Sequence, residues 1–185
     1  MSRLISHIGV SVDGFINDEA GLPVLPVEEE FQRYIDELLA SIDGMVLGRV
    51  AFEQLAAYWP TAGDEVSPVQ AQLMHELPKY VLSNSLGDAQ RWNNSHLLGA
   101  DPWPALEALK VQAGRPVAVF AGARAVTSTL SMGLVDQLSL IVRPSLVGGG
   151  TRLFDGGYPS SRLRLSETLQ FPSGAMVVKY EVVGS

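Results

Sequence analysis

The stretch Asp43–Pro60, DGMVLGRVAFEQLAAYWP, decides how the chain is read. Met45-Val46-Leu47 is a short unbroken apolar run, the pattern of a strand buried on both faces. It ends on Gly48-Arg49 and passes into a stretch from about Ala51 to Ala57 with helical spacing. A strand leading straight into a helix is half of a crossover unit. An arginine at that turn stands where free backbone N–H groups and the helix dipole favour an anion. The same residues also suit a strand-ending glycine followed by a surface arginine, so the rest of the chain has to decide.

Outward from this stretch the alternation repeats. Leu4–Val12 reads as a strand and Glu28–Ala40 as a helix with Phe31, Ile35, Leu38 and Leu39 on one face. After the opening stretch come a helix over Val69–Leu77, a strand over Tyr80–Leu82 and a short one over Ser95–Leu98. Pro104–Ala113 is helical and stopped by Gly114; Val117–Phe120 is a buried strand; Ala123–Met132 is a helix stopped by Gly133. Leu138–Val142 is a strand, and Leu163–Phe171 with Ala175–Val183 flanks Pro172-Ser173-Gly174 as an antiparallel hairpin. Repeated strand–helix–strand units imply an α/β fold of three layers, a mixed, mostly parallel sheet flanked by helices, ending in that hairpin. No linker or repeat divides the 185 residues, so a single domain over 1–185 is expected.

Composition narrows the function. Thirteen basic against 20 acidic residues give a net charge of −7, which offers no long-range attraction to nucleic acid or an anionic membrane. An anionic ligand would need a local cluster of arginines and N–H groups. The absence of cysteine removes disulfides, thiolate metal sites and cysteine nucleophiles. No signal-peptide pattern or membrane-length apolar run is read, so a cytoplasmic protein is expected. His7, His75 and His96 are scattered, with no metal-ligand or triad spacing, and His7 reads as a core or edge residue. Chemistry carried by a bound cofactor remains.

In such sheets ligands sit beyond the carboxyl ends of the strands, which selects four turns. Gly48-Arg49 is one. Ala121-Gly122-Ala123-Arg124 repeats its design, with small residues that admit a ligand closely. Ser83-Asn84-Ser85 offers hydroxyls to a ribose or phosphate, or caps a turn. Asp13-Gly14 opens a segment with Gly21, Pro23 and Pro26 that suits a covering loop, Asp13 being a site residue or a turn former. Gly148-Gly149-Gly150-Thr151-Arg152 lacks the spacing of a P-loop and reads as a tight turn close to a ligand, with Arg152 as a substrate contact. Glu28, Glu29 and Glu30 suit the first turn of a helix, and one of them, or Asp13, is a candidate proton donor.

Taken together, Ser11-Val12-Asp13-Gly14-Phe15-Ile16, Gly48-Arg49-Val50-Ala51-Phe52-Glu53, Tyr58-Trp59-Pro60, Lys79-Tyr80-Val81-Leu82-Ser83, Gly122-Ala123-Arg124, Gly133–Leu138 and Pro144–Phe154 resemble the dihydrofolate reductase-like family. The branch is the one similar to the reductase domain of bifunctional riboflavin-biosynthesis proteins, and the match covers nearly the whole chain. The resemblance implies an NADPH-dependent reductase, with NADH possible as donor, a small-molecule substrate and often a homodimer. It implies that Gly48, Arg49, Val50 and Ala51, and Ala121, Gly122, Ala123 and Arg124, hold the dinucleotide phosphates. Ser83 and Asn84 fall near the adenosine ribose, and Gly9, Asp13 and Ile16 near the nicotinamide. Three positions depart from the family pattern: Ala51 replaces a threonine, Asn84 a basic residue, and Ala121-Gly122 a Gly-Gly pair. Two other readings stand beside the reductase: a scaffold of the same fold without catalysis, motivated by Ala51 and Asn84, and a dihydrofolate reductase proper.

Overall fold

A computed structural model describes residues 1–21, 28–62, 67–156, 158 and 160–184. Pro23 and Pro26 of the expected covering loop lie outside the described residues. In chain order the elements are β1 (Leu4–Ser11), α1 (Glu29–Ala40), β2 (Gly44–Gly48), α2 (Arg49–Tyr58), a single 3-10 turn at Trp59–Thr61, α3 (Pro68–Glu76), β3 (Lys79–Leu82), β4 (Ser95–Leu97), α4 (Trp103–Gln112), β5 (Val117–Val119), α5 (Ala123–Ser131), β6 (Gln137–Arg143), β7 (Leu163–Gln170) and β8 (Met176–Val182). They form one eight-stranded sheet in the order β4-β3-β2-β5-β1-β6-β8-β7. The pairs from β4 to β6 are parallel; β6–β8 and β8–β7 are antiparallel.

The order explains the layers. Right-handed crossovers that step opposite ways across a sheet place their helices on opposite faces. The chain steps from β1 through β2 and β3 to β4, and Leu39 of α1, Phe52 of α2 and Met74 of α3 pack with Met45, Leu47, Val81 and Ala118. It then steps back through β5 to β6. Leu106 of α4 packs with Val46, Val117 and Val119, and Val126 of α5 with Ile8, Val10 and Leu138. Strand alternation therefore buries both faces of the central strands, which is why they read as continuous apolar runs. Between the neighbours β2 and β5 the following helices leave on opposite faces, and in open sheets of this kind the ligand crevice lies at that switch point, beyond the carboxyl ends of the strands.

The expected elements are present, with ends shifted by one or two residues. Helix α2 starts at Arg49 because Gly48 already has the extended conformation of an N-cap. Strand β3 starts at Lys79, which the sequence placed outside it. This lysine is buried, donates from Nζ to the carbonyls of His75 at 2.8 Å and Asn93 at 3.0 Å, and lies 4.4 Å over the Trp92 ring.

The segment after β1 is zipped to the one after β6. Val12 N donates to Ser145 O, Ile16 N to Thr151 O and Leu153 N to Gly14 O, at 2.9–3.0 Å. The glycine run sits in this seam. Gly150 has φ +114°, and a Cβ there would overlap the carbonyl oxygen of Asn17. The tight turn thus approaches the chain's own loop, where the sequence reading placed a ligand. Gly150→Ala is expected to lower the thermal midpoint well beyond Gly148→Ala. Both have left-handed φ, but a side chain at Gly148 meets open space. About 1 kcal/mol would correspond to ~2–4 °C in a domain of this size. Equal midpoints in a melting experiment would contradict the close seam.

Candidate functional site

The Gly48-Arg49 and Ala121–Arg124 turns meet at the crevice. A Cβ on Gly48 would lie 3.3 Å from Ala125 Cβ and 3.9 Å from Ala121 Cβ, and one on Gly122 would lie 3.9 Å from Ile16 Cδ1. Glycine at 48 therefore lets the end of β2 pass close beside α5. Gly48 and Gly122 are the N-caps of α2 and α5, neither contributes a side-chain cap, and neither helix has an acidic residue in its first turn. By contrast α3 is capped by Ser67, and α1 carries Glu29 and Glu30 in its first turn. Two helix starts of positive partial charge, without a carboxylate to neutralise them, converge on one crevice.

The cationic side chains there differ. Arg49 Nη1 binds Glu53 at 2.9 Å on the same helix, and both remain part-exposed. Arg124 is exposed, and its guanidinium makes no ion pair or hydrogen bond among the described residues. Val50 is exposed and Ala51 half-buried in the first turn of α2. Ser83 Oγ accepts from the N–H groups of Ser85 and Leu86 at 3.2 and 3.0 Å, so it caps the turn and keeps its own proton to donate. Asn84 is exposed. Gly9 is buried in β1 beside Ile141 of β6. No peptide bond among the described residues is cis, Ala121–Gly122 included.

Asp13 has a different task from proton donation. Its Oδ1 accepts from Ser11 Oγ at 2.6 Å, and its carboxylate accepts from the N–H groups of Val147 and Gly148 at 2.8–3.1 Å. The Ser11 hydroxyl, then the Gly148 amide, hold its pKa down at about 2. An acid ionised so firmly is a poor proton source and a good fastener of two loops. Glu28 Oε1 accepts from Ser173 Oγ at the β7–β8 turn. Glu30 lies 3.8 Å from Arg33 and lines, with Tyr34 and Phe171, a groove between α1 and the β7–β8 hairpin; Glu29 is exposed. Arg152 is committed to the β1 loop: Nη1 donates to Asp13 O at 3.2 Å, and the guanidinium lies 4.5 Å over the Phe15 ring.

His7 is the core residue that the sequence suggested: it is buried in β1, with its ring tilted against Tyr34 of α1 at 5.6 Å between centroids and Phe120 edge-on at 5.7 Å.

The family model of the RibD C-terminal domain matches residues 2–177. The chain belongs to the RibD C-terminal domain family. It is 26% identical over 182 residues to the uncharacterized protein YyaP of Bacillus subtilis strain 168, covering 96% of this chain and 94% of that one. Among solved structures it resembles a Thermotoga maritima diaminohydroxyphosphoribosylaminopyrimidine deaminase/5-amino-6-(5-phosphoribosylamino)uracil reductase, with TM-score 0.67 and 14% identity over 98% of this chain and 56% of that one. It also resembles Enterococcus faecalis dihydrofolate reductase complexed with NADP(H), with TM-score 0.67 and 15% identity over 98% of this chain and 96% of that one. The fold is that of the riboflavin-type and dihydrofolate reductases. Among the described residues no helix is long and apolar enough to cross a membrane, and no cluster of acidic or histidine side chains suits a metal.

The role of Asp13 is testable by pH. A carboxylate lowered from 3.8 to about 2 stabilises the fold fully above pH ~4, and that contribution disappears as pH falls toward 2. Asp13→Asn should therefore melt below the wild type at neutral pH, and the gap should close as pH falls from 4 to 2. A gap independent of pH would contradict the fastener.

Proposed function

We propose that the chain is an NAD(P)H-dependent reductase that delivers hydride to a small heterocyclic or ribosyl-pyrimidine-type substrate. One observation carries the reading: the uncapped, glycine-led starts of α2 and α5 converge at the β2–β5 switch point, each with an arginine in its first turn. A pyrophosphate fits such a donor set. Bound there, the dinucleotide would supply the hydride, and the protein would supply position and exclude water.

In this reading the first-turn amides of α2 and α5 hold the phosphates, and Arg124 meets them directly. Arg49 must first loosen its bond to Glu53. Ser83 donates its free proton toward the adenosine ribose or its 2′-phosphate. Gly9, Ile16 and the Asp13 loop border the nicotinamide, where a residue without a side chain at position 9 lets a flat ring approach β1. Asp13 and Glu28 are already bonded within the protein, so the proton that follows hydride comes from water. A homodimer, a cytoplasmic location and independence from nucleic acid and membranes complete the proposal.

Titration of the protein with NADPH, followed by tryptophan fluorescence, tests it. Arg124→Ala should weaken binding about ten-fold or more, since a charged hydrogen bond contributes about 1.5–3 kcal/mol. Glu53→Gln should strengthen it by freeing Arg49. No binding at millimolar NADPH or NADH, or an unchanged affinity in Arg124→Ala, would sink the reading. With Asn84 uncharged, discrimination between NADPH and NADH should stay within roughly a hundred-fold, the upper size of one such bond.

A further inference from the structure

Strand β7 is an open edge of the sheet, and every residue of it except Leu169 is exposed. An edge with free backbone donors and acceptors is a template for another strand. Its outward groups follow from the ladder with β8. Val183 N donates to Arg162 O at one end of the hairpin, and Phe171 N donates to Ala175 O at the other. In an antiparallel pair, residues that bond to the neighbour alternate with residues that turn away. Arg162, Arg164, Glu167 and Leu169 therefore face β8, while Leu163, Leu165, Thr168 and Gln170 turn their N–H and C=O to the open side. No described segment bonds them there.

The ladder is broken once, by a bulge between Leu165 and Glu167. The extra residue, Ser166, reverses which positions lie on which face. Arg164 opposes Glu181 and Glu167 opposes Lys179, so both lie on the α1 side, where Lys179 Nζ sits 5.7 Å over the Tyr34 ring. Leu163, Leu165 and Thr168 oppose Val182, Tyr180 and Val178 on the other side. A strand with such a reversal at its middle can pair with its own copy about a two-fold axis. For like faces to stay together across the bulge, the axis must pass between two residues. Placed between Leu165 and Ser166, it sets Leu163 opposite Thr168 of the second copy, both with outward backbone groups. It also sets Arg164 opposite Glu167.

Charge favours this register. Arg164 makes no ion pair or hydrogen bond among the described residues, and Glu167, bound by Lys179 at 2.9 Å, keeps acceptor capacity. Opposite charges directly across a ladder attract. The same axis brings Arg162 of the second copy beside Leu169, at the groove where Glu30 and Glu37 stand with a single arginine, Arg33. On the other face Leu163 and Leu165, 43% and 57% exposed, gather at the axis beside half-buried Val178 and Tyr180. Bulges and charges usually protect an edge from pairing. Here each finds its complement in a second copy.

We propose that β7 pairs antiparallel with β7 of a second copy, Leu163 opposite Thr168 and Arg164 opposite Glu167, in one sheet that continues through a two-fold axis. Of the proposed function this rests on the homodimer alone and is independent of the dinucleotide.

Light scattering on the gel-filtered wild type at micromolar concentration should read a dimer. The chain has no cysteine, so Leu163→Cys/Thr168→Cys introduces the only thiols. Residues of a bonded antiparallel pair have Cα atoms about 5.5 Å apart, within disulfide range, whereas five positions along one strand span about 17 Å. Mild oxidation should therefore yield a covalent dimer on a non-reducing gel. Leu163→Cys/Gln170→Cys, two residues out of register, should yield little. Arg164→Glu should raise the dimer dissociation constant about ten-fold or more, since each dimer then holds two like-charged pairs, and Arg164→Glu/Glu167→Arg should restore it. Arg164 has no partner within the chain, so circular dichroism of Arg164→Glu should match the wild type. A monomeric wild type, which leaves the edge to another partner, would overturn the interface. So would a dimer that Arg164→Glu leaves unchanged, or equal cross-linking in the two cysteine variants. Failure of a dimeric wild type to bind NADPH or NADH would overturn the reductase reading and leave the interface standing.

Discussion

The structure depends on one constraint: β2 and β5 are parallel neighbours whose helices leave on opposite faces of the sheet. Right-handed crossovers stepping opposite ways require this, and the divergence cannot be filled by either helix. Gly48 brings the β2 end within van der Waals contact of α5, and both helix starts face the gap without a side-chain cap. A net charge of −7 makes this local positive field the more telling, because the rest of the surface repels an anion.

The second support is the seam between the β1 loop and the chain after β6. Asp13 fastens it through two amides and Ser11, Arg152 lies across Phe15, and Gly149 and Gly150 admit the opposing loop. Asp13 and Arg152 are thus bonded within this seam. A carboxylate saturated with donors is a structural anion.

The fold was legible in the sequence because its strands are buried on both faces and its helices are amphipathic, so Met45–Leu47, Val117–Phe120 and the helix at Ala123 stand out as runs and periods. The Gly48-Arg49 and Gly122–Arg124 turns were legible as a pair for the same reason. Other features were not. Bonds of Asp13 to Val147 and Gly148 span more than 130 positions, and no local pattern announces such a contact. The Arg49–Glu53 pairing lies at a spacing of four on one helix, the spacing at which such ion pairs form. The contact of His7 with Tyr34 forms only when α1 folds over β1, so no local pattern announces it.

The central claim is that the crevice between β2 and β5 holds a dinucleotide. It is tested most directly by mapping backbone amide shifts in ¹⁵N-labelled protein as NADPH is added. The account requires the largest changes at Arg49, Val50 and Ala51 and at Ala123 and Arg124, with smaller ones at Ser83 and Gly9. Changes confined to the groove between α1 and the β7–β8 hairpin, or none at the starts of α2 and α5, would contradict it.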